Sequence, residues 1–190
     1  MLEKKTFQIK GISGLLMHNG QLANPYNKFA KEMKQYTKKR KKTDADIDAI
    51  SRLEFLGGLY MDDKGNYIIT PECWEATLVN AAKKSKLGGQ AVLGITVPEP
   101  SILEVDGPTD PEKRLLDPAF VDARMVVISK KRVLRTRPFF PRWATTLTVL
   151  FDTNHLNESD IVQFVVDGGR MIGLLDWRPK YGRYEVVSHD

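Results

Sequence analysis

Two segments of the sequence place arginines beside aromatic residues, a combination suited to contact with nucleic acid. RTRPFFPRW occupies residues 135–143, and GGRMIGLLDWRPKYGRYEVV occupies residues 168–187. A guanidinium contacts phosphate through its planar fork, and aromatic rings stack on bases. Glycines in the second segment allow tight turns and close backbone approach. Both segments therefore predict binding of a single strand, with anchoring of Phe139 or Phe140 in the core as the alternative for the first.

Positive charge is concentrated in three segments of the chain. Residues 28–42 carry a net charge of +7, residues 130–142 carry +6 and residues 170–183 carry +3, whereas the whole chain carries +5. The remainder is therefore acidic, with a net charge of −11. Clustered cations on an acidic body are typical of a polyanion binder, although a lysine-rich run such as 28–42 is often a solvated face.

The candidate contact residues are the cations and aromatic rings of these segments. They are Lys38, Lys39, Arg40, Lys41, Lys42, Lys130, Lys131, Arg132, Arg135, Arg137, Phe139, Phe140, Arg142, Arg170, Trp177, Arg178, Lys180, Tyr181 and Arg183. Contacts of these types reach phosphates and the faces of bases, so we expect weak sequence preference. RNA and DNA are not distinguished by them.

Catalytic and metal-binding motifs are not recognised. Cys73 is the single cysteine, and the three histidines are far apart in the sequence. DADID at 44–48 lacks the glycine and the glutamate of a calcium loop, so we interpret it as a helix N-terminus. The acidic cluster Asp152, His155, Glu158 and Asp160 is explained by a strand end followed by a helix cap. We expect no catalytic residue, metal or cofactor, and a nuclease using His18 or Asp176 is the enzymatic alternative.

Apolar periodicity and turn signals predict an α+β fold in a single domain over residues 1–190. The expected strands are 5–17, 90–97, 101–106, 121–137 (or a hairpin around Lys130-Lys131), 143–152 and 184–187, and the expected helices are 27–38, 43–57, 70–86 and 157–167. Without a basic helical insertion at 19–56 and a proline-rich loop insertion at 107–120, the order is β-α-β-β-α-β. This order predicts a ferredoxin-like antiparallel sheet.

Several stretches resemble a known superfamily. GISGLLMHN, YIITPECWEATLVNAAKK and the C-terminal glycine-rich segment are similar to the RAMP superfamily, most of all to the backbone subunit of CRISPR effector complexes. LLMHNG, DAISRLEFLGGLY, RTRPFF and DWRPKYGRYEVV together resemble uncharacterised proteins encoded by phages and prophages. The resemblance implies a modified RRM fold, a single strand along a basic face and head-to-tail assembly of copies. The positions that match are the basic and aromatic residues of 135–143 and 170–183. Residues 28–42 would be an insertion that reaches the phosphate backbone of the bound strand.

The sequence departs from that family in two ways. It is short for the family, and DWRPKY interrupts the glycine-rich segment. These departures favour a stand-alone phage role over binding of a guide RNA.

The sequence therefore predicts a non-catalytic, single-stranded nucleic-acid-binding protein encoded by a phage or mobile element. Its copies would form a homo-oligomer or filament along RNA or DNA. The alternative is a phage structural or interaction protein that uses the basic-aromatic segments for subunit contacts. No charged-then-apolar leader and no apolar run near 18 residues occur, so we expect a cytoplasmic protein, in the bacterial host cell if phage-encoded, with no membrane partner.

Overall fold

The computed structural model describes residues 1–128 and 130–190, with Ile128 and Lys131 described by their backbones. The strands are β1 (Leu2–Gly11), β2 (Leu15–Leu16), β3 (Ile68–Ile69), β4 (Ile95–Thr96), β5 (Ser101–Val105), β6 (Val121–Ile128), β7 (Lys131–Phe140), β8 (Trp143–Asp152) and β9 (Tyr184–His189). The α-helices are α1 (Lys28–Thr37), α2 (Asp44–Gly58), α3 (Pro71–Ala82), α4 (Gly88–Gly94), α5 (Pro111–Leu115) and α6 (Glu158–Asp167). Mixed α and β structure with antiparallel sheets is thus confirmed.

The chain divides into two compact units. The first consists of Met1–Leu15, Met61–Asp106 and Pro141–Asp190, and the second of Leu16–Tyr60 and Gly107–Phe140. The predicted insertions, 19–56 and 107–120, both fall within the second unit.

An antiparallel sheet forms the centre of the first unit. Its strand order is β3-β5-β8-β1-β9, and β4 pairs with the end of β8 that β5 leaves open. Alternation puts Phe7 and Ile9 of β1 in the core, while Gln8 and Lys10 are exposed. In β8 the same alternation buries the odd-numbered residues from Trp143 to Phe151, as the sequence predicts.

Helices α3 and α6 pack against each other and contribute to the same core. Trp74 and Leu78 of α3 are fully buried, as are Ile161 and Phe164 of α6. At their N-termini, α3 begins at Pro71 without a capping hydrogen bond from the Thr70 side chain, and Asn157 forms a reciprocal capping box with Asp160 in α6. Burial of these large side chains is the main source of stability for this unit.

The second unit combines helices α1, α2 and α5 with the antiparallel strands β6 and β7. Thr43 caps α2 through a capping box with Asp46. Strands β6 and β7 pair in antiparallel register from Val121 opposite Pro138 to Ile128 opposite Lys131, which confirms the predicted hairpin. Residue 129 lies outside the described residues.

Residues 90–97 differ from their predicted strand. Most of this stretch lies in α4, and β4 adds two residues. The backbone N–H of Ala91 donates to the carbonyl of Leu87 at 2.9 Å, and Val92 and Leu93 are exposed. A short apolar run without alternation is compatible with either a helix or a strand, and helical hydrogen bonding prevails here.

Helix α3 is shorter than its predicted range of 70–86. It ends at Ala82, and a 3₁₀ turn continues to Ser85.

Within the described part of the chain, no helix combines the length and the apolar character needed to cross a membrane.

Candidate nucleic-acid interface

The candidate interface is built on residues 168–183, called the glycine loop below. Helix α6 continues into a π turn over 168–172. A Cβ on Gly169 would lie 2.2 Å from the carbonyl oxygen of Tyr184, so this position has room for glycine alone. The Thr77 hydroxyl of α3 donates to the carbonyl of Gly173 at 3.0 Å. The start of the glycine loop is therefore fixed to both α3 and β9.

The end of the glycine loop is fixed to the turn that follows β1. The N–H of Gly182 donates to the carbonyl of Gly14 at 2.9 Å, and the N–H of Arg183 donates to the Ser13 hydroxyl oxygen at 2.9 Å. Across the base of the loop, the N–H of Leu174 donates to the carbonyl of Gly182 at 2.9 Å. These bonds close the glycine loop, so its tip is presented from a rigid base.

Two aromatic rings lie at the tip of the glycine loop. The ring centroids of Trp177 and Tyr181 are 5.7 Å apart at an interplanar angle of 45°, and the Lys180 ammonium lies 5.2 Å from the Trp177 centroid. Trp177 is 39% exposed, whereas Tyr181 is half-buried. Trp177 is therefore partly open to solvent, with the Tyr181 ring and the Lys180 ammonium beside it.

Exposed cations lie in the same loop as these rings. Arg170, Arg178 and Lys180 are exposed, as the sequence-based proposal requires, and the half-buried Arg183 side chain donates to the carbonyl oxygen of Arg170. The Arg183 guanidinium therefore uses part of its hydrogen-bonding capacity within the loop itself. Six of the predicted contact residues are thus brought together in one loop: Arg170, Trp177, Arg178, Lys180, Tyr181 and Arg183.

A shallow depression separates the glycine loop from the end of α3. It is lined by Asn80, Lys83, Lys84, Met171, Ile172, Arg178 and Pro179, and it is called the basic depression below. Lys83 and Lys84 were not among the predicted contact residues. The signal that could have identified them is the run KKSK at 83–86, three lysines in four residues.

The open face of the sheet offers polar side chains rather than rings. On β1 it carries Lys4, Thr6, Gln8 and Lys10, and on β8 it carries Thr146 and Thr148. Gln8 and Thr146 hydrogen-bond across the strands at 3.0 Å. The structure describes β1, β5 and β8 along their whole length, and none of these strands places an aromatic side chain on this face. A base that stacked on this unit would therefore find no ring on this face of β1, β5 or β8.

In the second unit, the arginines of β7 are held by carboxylates. Arg135 is ion-paired with Glu54 of α2, and the N–H of Thr136 donates to the same carboxylate at 2.9 Å. The guanidinium of Arg137 is mostly buried and lies 3.9 Å from Asp122. The sequence proposed these two arginines as phosphate contacts, but the structure uses their charges inside the unit.

The two phenylalanines of β7 differ in exposure. Phe139 is half-buried, whereas Phe140 is 0% exposed and its ring centroid lies 4.5 Å from the guanidinium carbon of the buried Arg114. Phe140 is therefore a core residue, which corresponds to the alternative drawn from the sequence. We leave it out of the candidate interface.

Other predicted cations are exposed, although some have partners. Lys130 and Arg132 are exposed near the tip of the hairpin, and the Lys131 side chain lies outside the described residues. In the first unit, Arg142 is 85% exposed and pairs with Asp106.

The loop between α1 and α2 contains the exposed run Lys38, Lys39, Arg40, Lys41 and Lys42. Lys39 lies 2.5 Å from Asp46, and this hydrogen bond is the main cause that lowers the pKa of the Asp46 carboxyl. The Lys42 ammonium donates to the carbonyl of Lys39 at 3.1 Å. Two of the five cations are thus engaged in the structure of the loop itself.

The acidic cluster after β8 serves local structure. Asp152 accepts from the backbone N–H of Asn154 at 3.0 Å, and this bond lowers the pKa of the Asp152 carboxyl. Asp160 belongs to the capping box of α6, and Glu158 pairs with the buried Lys5 at 2.6 Å. Over the residues that are described, no three His, Cys, Asp or Glu side chains are grouped so that they could hold a metal ion.

No protein-family model matches the chain, and no curated protein matches it.

Proposed function

We propose that the chain is a non-catalytic, single-stranded nucleic-acid-binding protein whose copies assemble along the strand. The observation that carries the proposal is the exposed ring of Trp177 beside the exposed cations Arg178 and Lys180, on a loop whose base is fixed by hydrogen bonds. Cations neutralise phosphates while the indole stacks on a base. A rigid base keeps the entropic cost of binding low.

A single strand suits this geometry better than a duplex. The indole is presented at the tip of a loop, where an unpaired base can stack on it, whereas bases within a duplex are already stacked on each other. The neighbouring cations reach phosphates without reading base edges. We therefore expect binding to depend on salt and to depend little on sequence.

We also propose a ferredoxin-like, modified RRM arrangement for the first unit and membership of the RAMP superfamily. Taken in chain order, β1, α3, β5, β8, α6 and β9 have the order β-α-β-β-α-β, and the spatial order β9-β1-β8-β5 is antiparallel throughout. Both orders support the proposal. Because the open face of β1, β5 and β8 carries no aromatic ring, bases would stack on the glycine loop instead. We propose that the chain is encoded by a phage or another mobile element.

Fluorescence anisotropy tests the proposal directly. Labelled 20-mers of single-stranded DNA, single-stranded RNA and duplex DNA are titrated at about 50 mM and about 200 mM salt. Three phosphate contacts to a single strand predict a roughly 20-fold loss of affinity over this fourfold change in salt. Binding of one or both single strands in preference to duplex supports the proposal and identifies the polymer. Absence of binding at the lower salt concentration rejects it.

A structural or interaction protein is the second candidate, and the hairpin of the second unit favours it. Met125 and Val127, which share one face of β6, are 59% and 70% exposed. Exposed apolar side chains on a hairpin are typical of contacts with another polypeptide. Oligomers that form equally well without nucleic acid, in a protein that binds none, would put this candidate first. Sedimentation with and without the oligonucleotide distinguishes the two.

A further inference from the structure

The basic depression joins two elements that are distant in sequence. Asn80 lies in α3, Lys83 and Lys84 follow that helix directly, and Arg178 comes from the tip of the glycine loop. The hydrogen bond from Thr77 to the carbonyl of Gly173 holds the glycine loop against α3. The three cations therefore face one depression because of the fold rather than because of their spacing along the chain.

The lining of the depression is positive without internal compensation. Lys83, Lys84 and Arg178 are exposed, and the remaining lining residues are neutral. Asn80 holds Lys83 in place, since its side-chain oxygen accepts from the Lys83 ammonium at 3.2 Å. The arrangement offers a guanidinium fork and two ammonium groups to one anionic group.

Lysines at a helix C-terminus often serve only to offset the helix dipole. In α3 that end is already closed by backbone hydrogen bonds, from Leu87 to the carbonyl of Ala82 at 3.0 Å and from Lys86 to that of Lys83 at 3.2 Å. The dipole also gives no reason for Arg178 to approach from another element. An anionic ligand accounts for all three cations together.

We infer that the basic depression binds a backbone phosphate of the single strand, next to the base that stacks on Trp177. This inference rests on the proposed function and names two contact residues, Lys83 and Lys84, that the glycine loop alone does not supply. Met171, 40% exposed at the same depression, offers an apolar surface to the adjoining sugar. The phosphate can belong to DNA or RNA, because its diester chemistry is the same in both.

The test compares two charge-matched variants by anisotropy on fluorescein-labelled 20-mers of dT and of rU at four salt concentrations. Lys83→Ser with Lys84→Ser removes two cations from the depression. Lys4→Thr with Lys10→Thr removes two exposed cations from the open face of the sheet. Because each phosphate that is neutralised on a single strand contributes about 0.7 to the slope of log affinity against log salt, and the depression holds one phosphate, the first variant should lower that slope by about 0.7. The second should leave it at the wild-type value.

Thermal melting of both double variants checks that each is folded. Arg178→Gln provides an independent measurement of the salt slope. Arg178→Gln should also lower the slope, by no more than about 0.7, because the same phosphate loses its guanidinium contact. Lys86→Asn, at a left-handed position outside the depression, should leave the slope unchanged.

The outcomes separate the inference from the proposed function. A wild-type protein that binds neither 20-mer at low salt overturns both. A wild-type protein that binds, with an unchanged slope for Lys83→Ser with Lys84→Ser, overturns the phosphate site and leaves the proposed function standing. An equal drop in both double variants also overturns the site, since the effect would then be general electrostatics. Comparison of the titrations with dT and with rU shows whether a DNA or an RNA phosphate occupies the basic depression.

Discussion

The carboxylate of Glu54 in α2 forms an ion pair with the guanidinium of Arg135, which lies in β7, 81 residues further along the chain. Glu54 is 3% exposed and also accepts the backbone N–H of Thr136 at 2.9 Å. A buried carboxylate needs such partners, because an uncompensated charge in the interior is costly. The pair therefore ties the hairpin to α2 and uses a cation that the sequence proposes for phosphate binding.

Replacing Arg135 should destabilise the protein rather than weaken nucleic-acid binding. Arg135→Ala leaves Glu54 buried without its counter-ion, and we expect a loss of about 2–3 kcal/mol in the free energy of unfolding, since Arg135 itself is partly exposed. Urea unfolding measures this loss. Arg132→Ala, an exposed cation of the same strand, should stay within about 0.5 kcal/mol of wild type. A stable Arg135→Ala variant with a flattened salt slope would instead place Arg135 on a phosphate.

Replacing Trp177 should weaken binding without unfolding the loop. Trp177 has a φ of 55°, which asparagine tolerates better than most residues, so Trp177→Asn removes the ring and keeps the backbone. Loss of one base stack is worth about 1–3 kcal/mol, a decrease of roughly 5- to 150-fold in affinity by anisotropy. Tyr26→Ser is the control, because Tyr26 is another exposed ring beside a lysine. Similar losses in both variants would argue against a specific stack at Trp177.

The glycine loop should not tolerate a side chain at Gly182. Its φ is 73°, and a Cβ would lie 2.1 Å from the carbonyl oxygen of Leu174. We expect Gly182→Ala to cost about 1–3 kcal/mol in the free energy of unfolding and to weaken oligonucleotide binding. Gly89→Ala adds the same methyl group in α4, where no atom outside the adjoining residues and the backbone of the helix lies within 4 Å. It should be neutral or stabilising by up to about 1 kcal/mol, and an equal loss in both would contradict the expectation.

Acid should weaken the tie between β1 and α6. The hydrogen bond from Lys5 lowers the pKa of the Glu158 carboxyl, so the folded state favours the ionised form more than the unfolded state does. This contribution to stability is complete above the unfolded pKa of about 4.3 and is lost as the pH falls through the lower pKa of the folded state. The difference in Tm between wild type and Glu158→Gln should therefore be positive at pH 7 and shrink below pH 4. A difference that is constant from pH 7 to pH 3 would exclude this linkage.

Local sequence rules predicted the elements whose signals are local. The helices that begin near residues 43, 70 and 157 and the alternation along β8 all depend on residues within a few positions of each other. The stretch 90–97 was predicted wrongly because its apolar residues lack a clear period, so their environment decides between helix and strand.

The candidate site was harder to predict, because its contacts join distant parts of the chain. Nothing near Arg135 in the sequence indicates that Glu54 will reach it, and nothing near Phe140 indicates the guanidinium of Arg114 beside its ring. Lys83 and Lys84 become candidates only when the fold brings Arg178 to the end of α3. The glycine loop was identified from sequence, since its rings, cations and glycines lie within one segment.

The hydrogen bond between Gly182 and Gly14 has a consequence for synthesis of the protein. The base of the glycine loop requires the turn at Gly14 and a segment that is synthesised 168 residues later. A ribosome therefore translates nearly the whole of this segment of the message before the loop can close, and long-range pairing of this kind forms late in folding. A chain that has not yet been synthesised as far as Gly182 therefore cannot present the assembled Trp177 surface.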